Sequence, residues 1–141
     1  MHLSRVSTRL LFTGVLLFAL GLQCAAGADT KPGVVIQVSD DSLAAWNFTL
    51  RNVKNMKSQL GKVKIEVVAF GPGIYMLRRN SGVGDQLDAE MMQGVTFVAC
   101  EDSMHARKLT RKDMYPDLVF VPSGVAEIVA KQLQNWSYLK P

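Results

Sequence analysis

Two hydrophobic patterns alternate along the chain. Short runs with valine or isoleucine, bounded by turn-forming residues, are typical of buried strands and occur at 33–39, 63–70, 95–100 and 117–122, and 136–139 is predicted as a short last strand. Apolar residues at helical spacing predict helices at 43–60, 84–93, 102–109 and 125–134, with a short helical patch at 74–79. Strands that alternate with amphipathic helices form parallel βαβ units. The predicted fold class is therefore α/β, a three-layer α/β/α sandwich with a mostly parallel sheet of about five strands.

The helix at 43–60 has the clearest boundaries. Ser39, Asp40 and Asp41 precede it and offer side-chain caps, and Gly61 follows it. Its apolar stripe predicts one face buried against the sheet.

The first 28 residues follow a different pattern. Arg5 and Arg9 precede an apolar stretch at 10–22, and small residues follow at 26–28. This order is typical of a secretory signal peptide, and the apolar stretch is shorter than the roughly 20 residues that a spanning helix needs. We therefore expect a signal peptide at 1–28, a single domain at 29–141, a periplasmic or secreted location, and no membrane association after cleavage.

Cleavage changes both the charge and the cysteine content. Removing Arg5 and Arg9 from the sixteen basic residues leaves fourteen against twelve acids, which is too balanced to indicate nucleic-acid binding. Cleavage also removes Cys24, so Cys100 becomes the only cysteine and has no partner for an internal disulfide. Such a thiol is buried, paired between chains or reactive.

Cys100 ends the third predicted strand. In parallel sheets ligands bind beyond the carboxyl ends of the strands, where Asp40–Asp41 and Gly71–Gly73 also lie. His105 and Arg107 would favour a thiolate, whereas the adjacent Glu101–Asp102 pair would oppose it. A buried, inert cysteine is the alternative interpretation, and the residues alone leave both open.

Other chemistry has little support. The Gly71–Gly73 turn could present backbone amides to an anion, but strand-to-helix turns commonly have this composition. His105 is the only histidine in 29–141, and the methionines are scattered, so we expect no metal and no cofactor.

Four segments carry a resemblance to a known family: "VVIQVSDDSLAAWNFTLRNVKNM", "KIEVVAFGPGIYML", "QGVTFVACEDSM" and "NWSYLKP". Over 31–141 the chain resembles the DsrE/DsrF-like (DsrEFH-like) sulfur-relay family. The resemblance implies the same α/β/α fold and assembly into homotrimers or homohexamers. It further implies a sulfur carrier whose cysteine holds sulfane sulfur as a persulfide. Cys100, with Ala99 and Met104, matches the family's cysteine motif.

The resulting functional hypothesis is an exported sulfur carrier or sulfurtransferase. Cys100 would accept sulfur from a sulfane-sulfur donor and pass it to a thiol acceptor, either a protein or a small molecule. The predicted substrate-binding residues are Gly71, Gly73, Met104, His105 and Arg107. Two alternatives remain open: a non-catalytic oligomeric binding or assembly module with a buried cysteine, and a redox-sensing thiol protein. Whether the protein is an enzyme is also open.

Overall fold

A five-stranded sheet lies at the centre of the structure, a computed structural model that describes residues 32–141. The strands are β1 (Val34–Val38), β2 (Ile65–Ala69), β3 (Thr96–Cys100), β4 (Val119–Val121) and β5 (Ser137–Leu139). Their order across the sheet is β4-β3-β2-β1-β5, and all four neighbouring pairs are parallel. The predicted α/β class is confirmed, and the sheet described here is parallel throughout.

Helices cover both faces of this sheet, unequally. They are α1 (Leu43–Leu60), α2 (Gly84–Met91), α3 (Glu101–Ala106) and α4 (Gly124–Leu133), with 3-10 turns at Gly71–Leu77 and Arg111–Asp113. The side chains of β1 alternate between the two faces. Ile36 joins a large core with residues of α1, α2 and α3, whereas Val35 joins a small core with Ile128 of α4. Three layers result, with α4 alone packed on the second face among the described residues.

The longest helix has the predicted bounds but a different cap. The Ser42 hydroxyl accepts a hydrogen bond from the Ala45 amide at 3.1 Å, so Ser42 rather than Ser39, Asp40 or Asp41 is the N-cap. The Asp40 carbonyl instead accepts the Trp46 indole N–H at 2.8 Å, which holds the ring against the chain leaving β1.

Two segments near the carboxyl edge differ from the sequence prediction. The patch predicted at 74–79 begins at Gly71 as a 3-10 helix, and the helix predicted at 102–109 runs from Glu101 to Ala106. In both cases helical hydrogen bonding starts within a residue or two of the strand end. The connections there are therefore shorter than the residue pattern suggests.

The signal peptide predicted at 1–28 lies outside the described residues. Among residues 32–141, no helix has the length and apolar character needed to cross a membrane.

Candidate functional site

Cys100 is the last residue of β3 and the residue that precedes the first turn of α3. Strand alternation points its side chain to the α4 face, as it does for Val98. The residue is only 4% exposed, and its Sγ lies 3.9 Å from the Pro122 carbonyl oxygen, to which the thiol donates. The thiol is therefore at the predicted edge of the sheet but beneath a covering layer.

The cover is the short connection from β4 to α4. The Pro122 carbonyl also accepts a hydrogen bond from the Asp102 amide at 3.1 Å, so one oxygen faces both the thiol and the start of α3. A Cβ added to Gly124 would lie 3.2 Å from the Cys100 Cβ, which shows how closely α4 approaches. Residues 122–124 therefore form part of the cover over the sulfur.

The acidic pair after Cys100 does not act as one group. The Glu101 carboxylate accepts a hydrogen bond from Arg111 Nη2 at 2.5 Å, and the Arg111 guanidinium lies 4.3 Å from the centre of the Phe120 ring. Because Glu101 is paired with a cation, much of its negative charge near the thiol is offset. Asp102 is exposed to solvent, which screens its charge.

The glycines predicted to bind substrate serve the packing of this edge. The Gly71 amide donates to Ser103 Oγ at 2.8 Å, and the Gly73 amide donates to the Phe70 carbonyl at 3.0 Å. A Cβ on Gly73 would lie 2.3 Å from the Val38 carbonyl oxygen. Both amides are hydrogen-bonded within the protein, which fits the turn interpretation, and a role of Gly71 and Gly73 in substrate binding stays a prediction.

The other three predicted binding residues, Met104, His105 and Arg107, do not lie together. Met104 is 3% exposed and belongs to the large core, on the opposite face from the Cys100 side chain, and its role as a substrate contact stays a prediction. His105 is exposed on α3. Arg107 Nη1 donates to the Ser103 carbonyl at 3.4 Å, and its guanidinium lies 5.8 Å from the centre of the Tyr75 ring, on the α1 side.

Sequence analysis missed a cavity on that side. It has a volume of about 330 Å³ and is lined by Asp41, Trp46, Tyr75, Arg78, Asn80 and Ser81. These residues come from two segments of the chain, 41–46 and 75–81, so no single motif marks them. The available signal was the Arg78–Arg79 pair beside a polar loop.

A second cavity of about 570 Å³ lies beyond Asn80, and Tyr115 is among its lining residues. The Tyr115 hydroxyl donates to the Asp88 carboxylate at 2.7 Å. This hydrogen bond, with a smaller contribution from burial, raises the pKa of Tyr115 to about 12. Because Tyr115 stays neutral over the physiological range, it contributes a hydroxyl rather than a charge to this cavity.

Metal ligands are not gathered at either site. Within residues 32–141, no three His, Cys, Asp or Glu side chains lie close enough together to hold an ion.

Comparisons with known proteins agree on family and fold. The model of the DsrE/DsrF-like family matches residues 33–141. A protein of unknown function from Methanobacterium thermoautotrophicum, MTH1491, is 32% identical, with a TM-score of 0.76 over 79% of this chain and 100% of that one. No curated protein matches the sequence significantly.

Two further solved structures are similar in fold. BT1422 from Bacteroides thetaiotaomicron, described as a conserved protein of unknown function, is 12% identical, with a TM-score of 0.63 over 77% of this chain and 94% of that one. The ychN protein from E. coli is 14% identical, with a TM-score of 0.64 over 79% of this chain and 100% of that one. At these identities the likeness shows the fold alone.

Proposed function

Because the chain belongs to the DsrE/DsrF-like family, for which sulfur relay is the activity suggested at family level, we propose that it is an exported sulfur carrier that uses Cys100. One observation carries the proposal: Cys100 ends β3 at the carboxyl edge, with its sulfur one short connection below the surface. Ligands of parallel α/β sheets bind at this edge. Glu101, the nearest acid in sequence, is paired with Arg111.

The proposed chemistry is an exchange of one sulfur atom between thiols. The Cys100 thiolate attacks the outer sulfur of a donor persulfide, R–S–SH. The donor S–S bond breaks, its electron pair leaves on RS⁻, and a Cys100–S–SH persulfide forms. An acceptor thiolate then attacks the outer sulfur and releases the Cys100 thiolate. Each step forms one S–S bond and breaks another, so no external oxidant or reductant is needed.

Residues 122–124 would control this exchange. In the closed arrangement the Pro122 carbonyl oxygen accepts the hydrogen bond of the thiol and covers the sulfur. Moving the connection away exposes the sulfur and removes that oxygen at the same time. The movement would break the hydrogen bonds that the Pro122 carbonyl accepts from the Cys100 thiol and the Asp102 amide, and it would separate Gly124 from the β3 edge.

Intact mass spectrometry tests sulfur loading. The full-length protein carries Cys24→Ser, so that Cys100 is the only thiol, and is incubated with glutathione persulfide. We expect a gain of about 32 Da, one sulfur atom, that dithiothreitol reverses. The matched control adds Cys100→Ser and gains nothing. A protein that gains no sulfur from glutathione persulfide or thiosulfate contradicts the proposal.

The burial of Cys100 favours a second candidate, a non-catalytic assembly module of the same fold. Thiol labelling of the native protein separates the two. A carrier reacts with a maleimide without denaturant, at a rate set by opening of residues 122–124, whereas a module reacts only after unfolding. Reversible oxidation of Cys100 without sulfur loading would instead assign a redox sensor.

We also propose that the chain forms homotrimers or homohexamers. Val125, Val129 and Leu133 lie one turn apart on the outer side of α4 and are 55%, 49% and 81% exposed. An exposed apolar stripe on a helix favours burial against another protein surface. Light scattering after gel filtration should give three or six times the chain mass, and Val129→Glu should reduce it. A monomeric wild-type protein would contradict this proposal.

Export is proposed from the pattern of residues 1–28. Amino-terminal sequencing of protein from an exporting bacterial host should begin at Asp29 in the periplasmic or secreted fraction. A cytoplasmic product that begins at Met1 would oppose export while leaving the chemistry of Cys100 in place.

A further inference from the structure

The cavity beside Tyr75 contains an arginine without a polar partner. Among residues 32–141, Arg78 makes no ion pair and no side-chain hydrogen bond, and its buried Nε has no acceptor. The other arginines at this edge have acceptors: Arg79 bonds to the Lys112 carbonyl at 2.9 Å, Arg107 to the Ser103 carbonyl at 3.4 Å, and Arg111 to Glu101 at 2.5 Å. A buried donor without an acceptor raises the free energy of the folded protein. A ligand that supplies an acceptor to Arg78 Nε would remove this cost.

Positive charge is concentrated around the same ring. The guanidinium carbons of Arg78 and Arg107 lie 5.7 Å and 5.8 Å from the centre of the Tyr75 ring. The Asp113 carboxylate is charged and attracts Arg78, but the two form no ion pair; Asp113 accepts hydrogen bonds from the Thr110 amide and hydroxyl, both at 2.7 Å. An anionic group in the cavity would be attracted by both guanidiniums and would meet the Arg78 fork, which matches a carboxylate.

One wall of the cavity has the opposite charge. Asp41 is the only carboxylate among the lining residues, and within the described chain it has no cationic partner. A ligand that carries only an anionic group would bring that negative charge near the Asp41 carboxylate, which would repel it. A ligand that also carries an ammonium group would place a positive charge there.

Size and wall chemistry restrict the ligand further. A volume of about 330 Å³ is at the lower end for small-molecule sites. The indole N–H of Trp46 is already bonded to the Asp40 carbonyl, so Trp46 contributes its apolar ring. Asn80 and Ser81 add neutral polar groups at the rim.

We propose that this cavity binds a small zwitterion of the α-amino-acid class, with its carboxylate on Arg78 and its ammonium group on Asp41. The ligand carboxylate would give the unpartnered Arg78 Nε an acceptor. The site is separate from Cys100, which faces the other side of the sheet, and it does not depend on the proposed sulfur chemistry.

Trp46 provides a direct measurement of binding. Trp136→Phe leaves Trp46 as the only tryptophan and keeps an aromatic ring beside Lys131. The full-length variant is titrated with L-alanine, with propionate, which lacks the ammonium group, and with ethylamine, which lacks the carboxylate. L-serine, L-cysteine and L-leucine extend the series. We expect saturable fluorescence changes with an L-amino acid, at an affinity about tenfold or more above both monofunctional probes.

Three further substitutions in this background locate the site. Arg78→Met and Asp41→Asn should each weaken amino-acid binding about tenfold or more. Arg51→Met, which removes an exposed arginine on α1, is the matched control and should leave binding within about twofold. If Arg78→Met does not fold, the amino-acid affinity of Asp41→Asn alone tests the site.

Two results would overturn the proposal. One is the absence of a saturable response to any of the four amino acids. The other is binding that persists unchanged in Arg78→Met or Asp41→Asn, or that propionate reproduces at equal affinity.

Discussion

Lys131 lies beside a buried carboxylate on the α4 face of the sheet, and its removal gives a stringent test of the packing described above. Its Nζ is 2.5 Å from Glu66 Oε2 and 3.4 Å from Glu127 Oε1, and it lies over the Trp136 ring at 4.5 Å. Glu66 is 6% exposed, and its Oε1 is buried without a partner among the described residues. Burial raises the pKa of Glu66 above 4.5, although Lys131 opposes the rise.

The perturbation is Lys131→Met, which keeps an apolar stem over Trp136 and removes the charge. Losing one partner of a buried pair typically costs about 3–5 kcal/mol. Glu66 limits this cost by taking up a proton. Protonating a carboxyl with a pKa of 4.5 at pH 7.5 costs about 1.4 kcal/mol for each of three pH units. The loss of stability therefore cannot exceed about 4 kcal/mol. We expect a loss of about 3 kcal/mol at pH 7.5.

Protonation of Glu66 also makes the stability of the Lys131→Met variant depend on pH. In the variant, the folded state binds a proton on Glu66 more readily than the unfolded state does. Stability therefore falls as pH rises from 4.5 through the raised folded pKa, by about 1.4 kcal/mol per unit, and then levels off. At pH 5.5 the loss relative to wild type should be much smaller than at pH 7.5.

Guanidinium unfolding of the full-length protein at both pH values measures these effects. With a slope of about 3 kcal/mol per molar, the expected midpoint shift at pH 7.5 is about 1 M. Adding Glu66→Gln to Lys131→Met should recover about half of the loss and remove the added pH dependence. Lys54→Met, at an exposed α1 position that makes no ion pair within residues 32–141, is the control and should change stability by about 0.5 kcal/mol or less.

The reasoning would be refuted if Lys131→Met cost less than about 1 kcal/mol at pH 7.5, or as much at pH 5.5 as at pH 7.5. Either result would mean that Glu66 is solvated in the folded protein.

Two further substitutions test the carboxyl edge and the second cavity. Gly73→Ala places a Cβ 2.3 Å from the Val38 carbonyl oxygen and should cost about 3 kcal/mol or more in unfolding free energy, because backbone must move. Gly94→Ala, at φ +86° with nothing within 4 Å, should cost only about 1–2 kcal/mol, and equal losses would contradict the steric argument. Asp88→Asn should return the pKa of Tyr115 from about 12 towards 10, and an unchanged phenolate titration by ultraviolet absorbance would contradict the assigned hydrogen bond.

Sequence reasoning was most successful where local pattern and packing agree. Helix α1 has the predicted bounds because its apolar stripe is long, and each strand lies within its predicted run. Prediction of the caps and of the helices near the carboxyl edge was weaker. Ser42 rather than Asp40 or Asp41 caps α1, a difference of one or two residues that depends on side-chain geometry.

The candidate site was only partly predictable. Strand order was enough to place Cys100 at the carboxyl edge. It did not show that Met104 faces the other side of the sheet or that Arg107 lies beside Tyr75. In a short helix that follows a strand directly, neighbours in sequence point to different faces, so proximity along the chain is a poor guide to a shared site.

By itself, the sequence determined the class of fold and the unique thiol of the 29–141 segment, because periodicity and composition are local properties that one chain displays in full. Tertiary structure alone decided what surrounds that thiol and where charge remains unpaired. Cys100 is covered by Pro122, 22 residues further along, and Glu66 meets Lys131 across 65 residues. Within the part of the chain that the structure describes, Arg78 is left without a polar partner for the same reason: burial and pairing depend on segments that meet only after the sheet has formed.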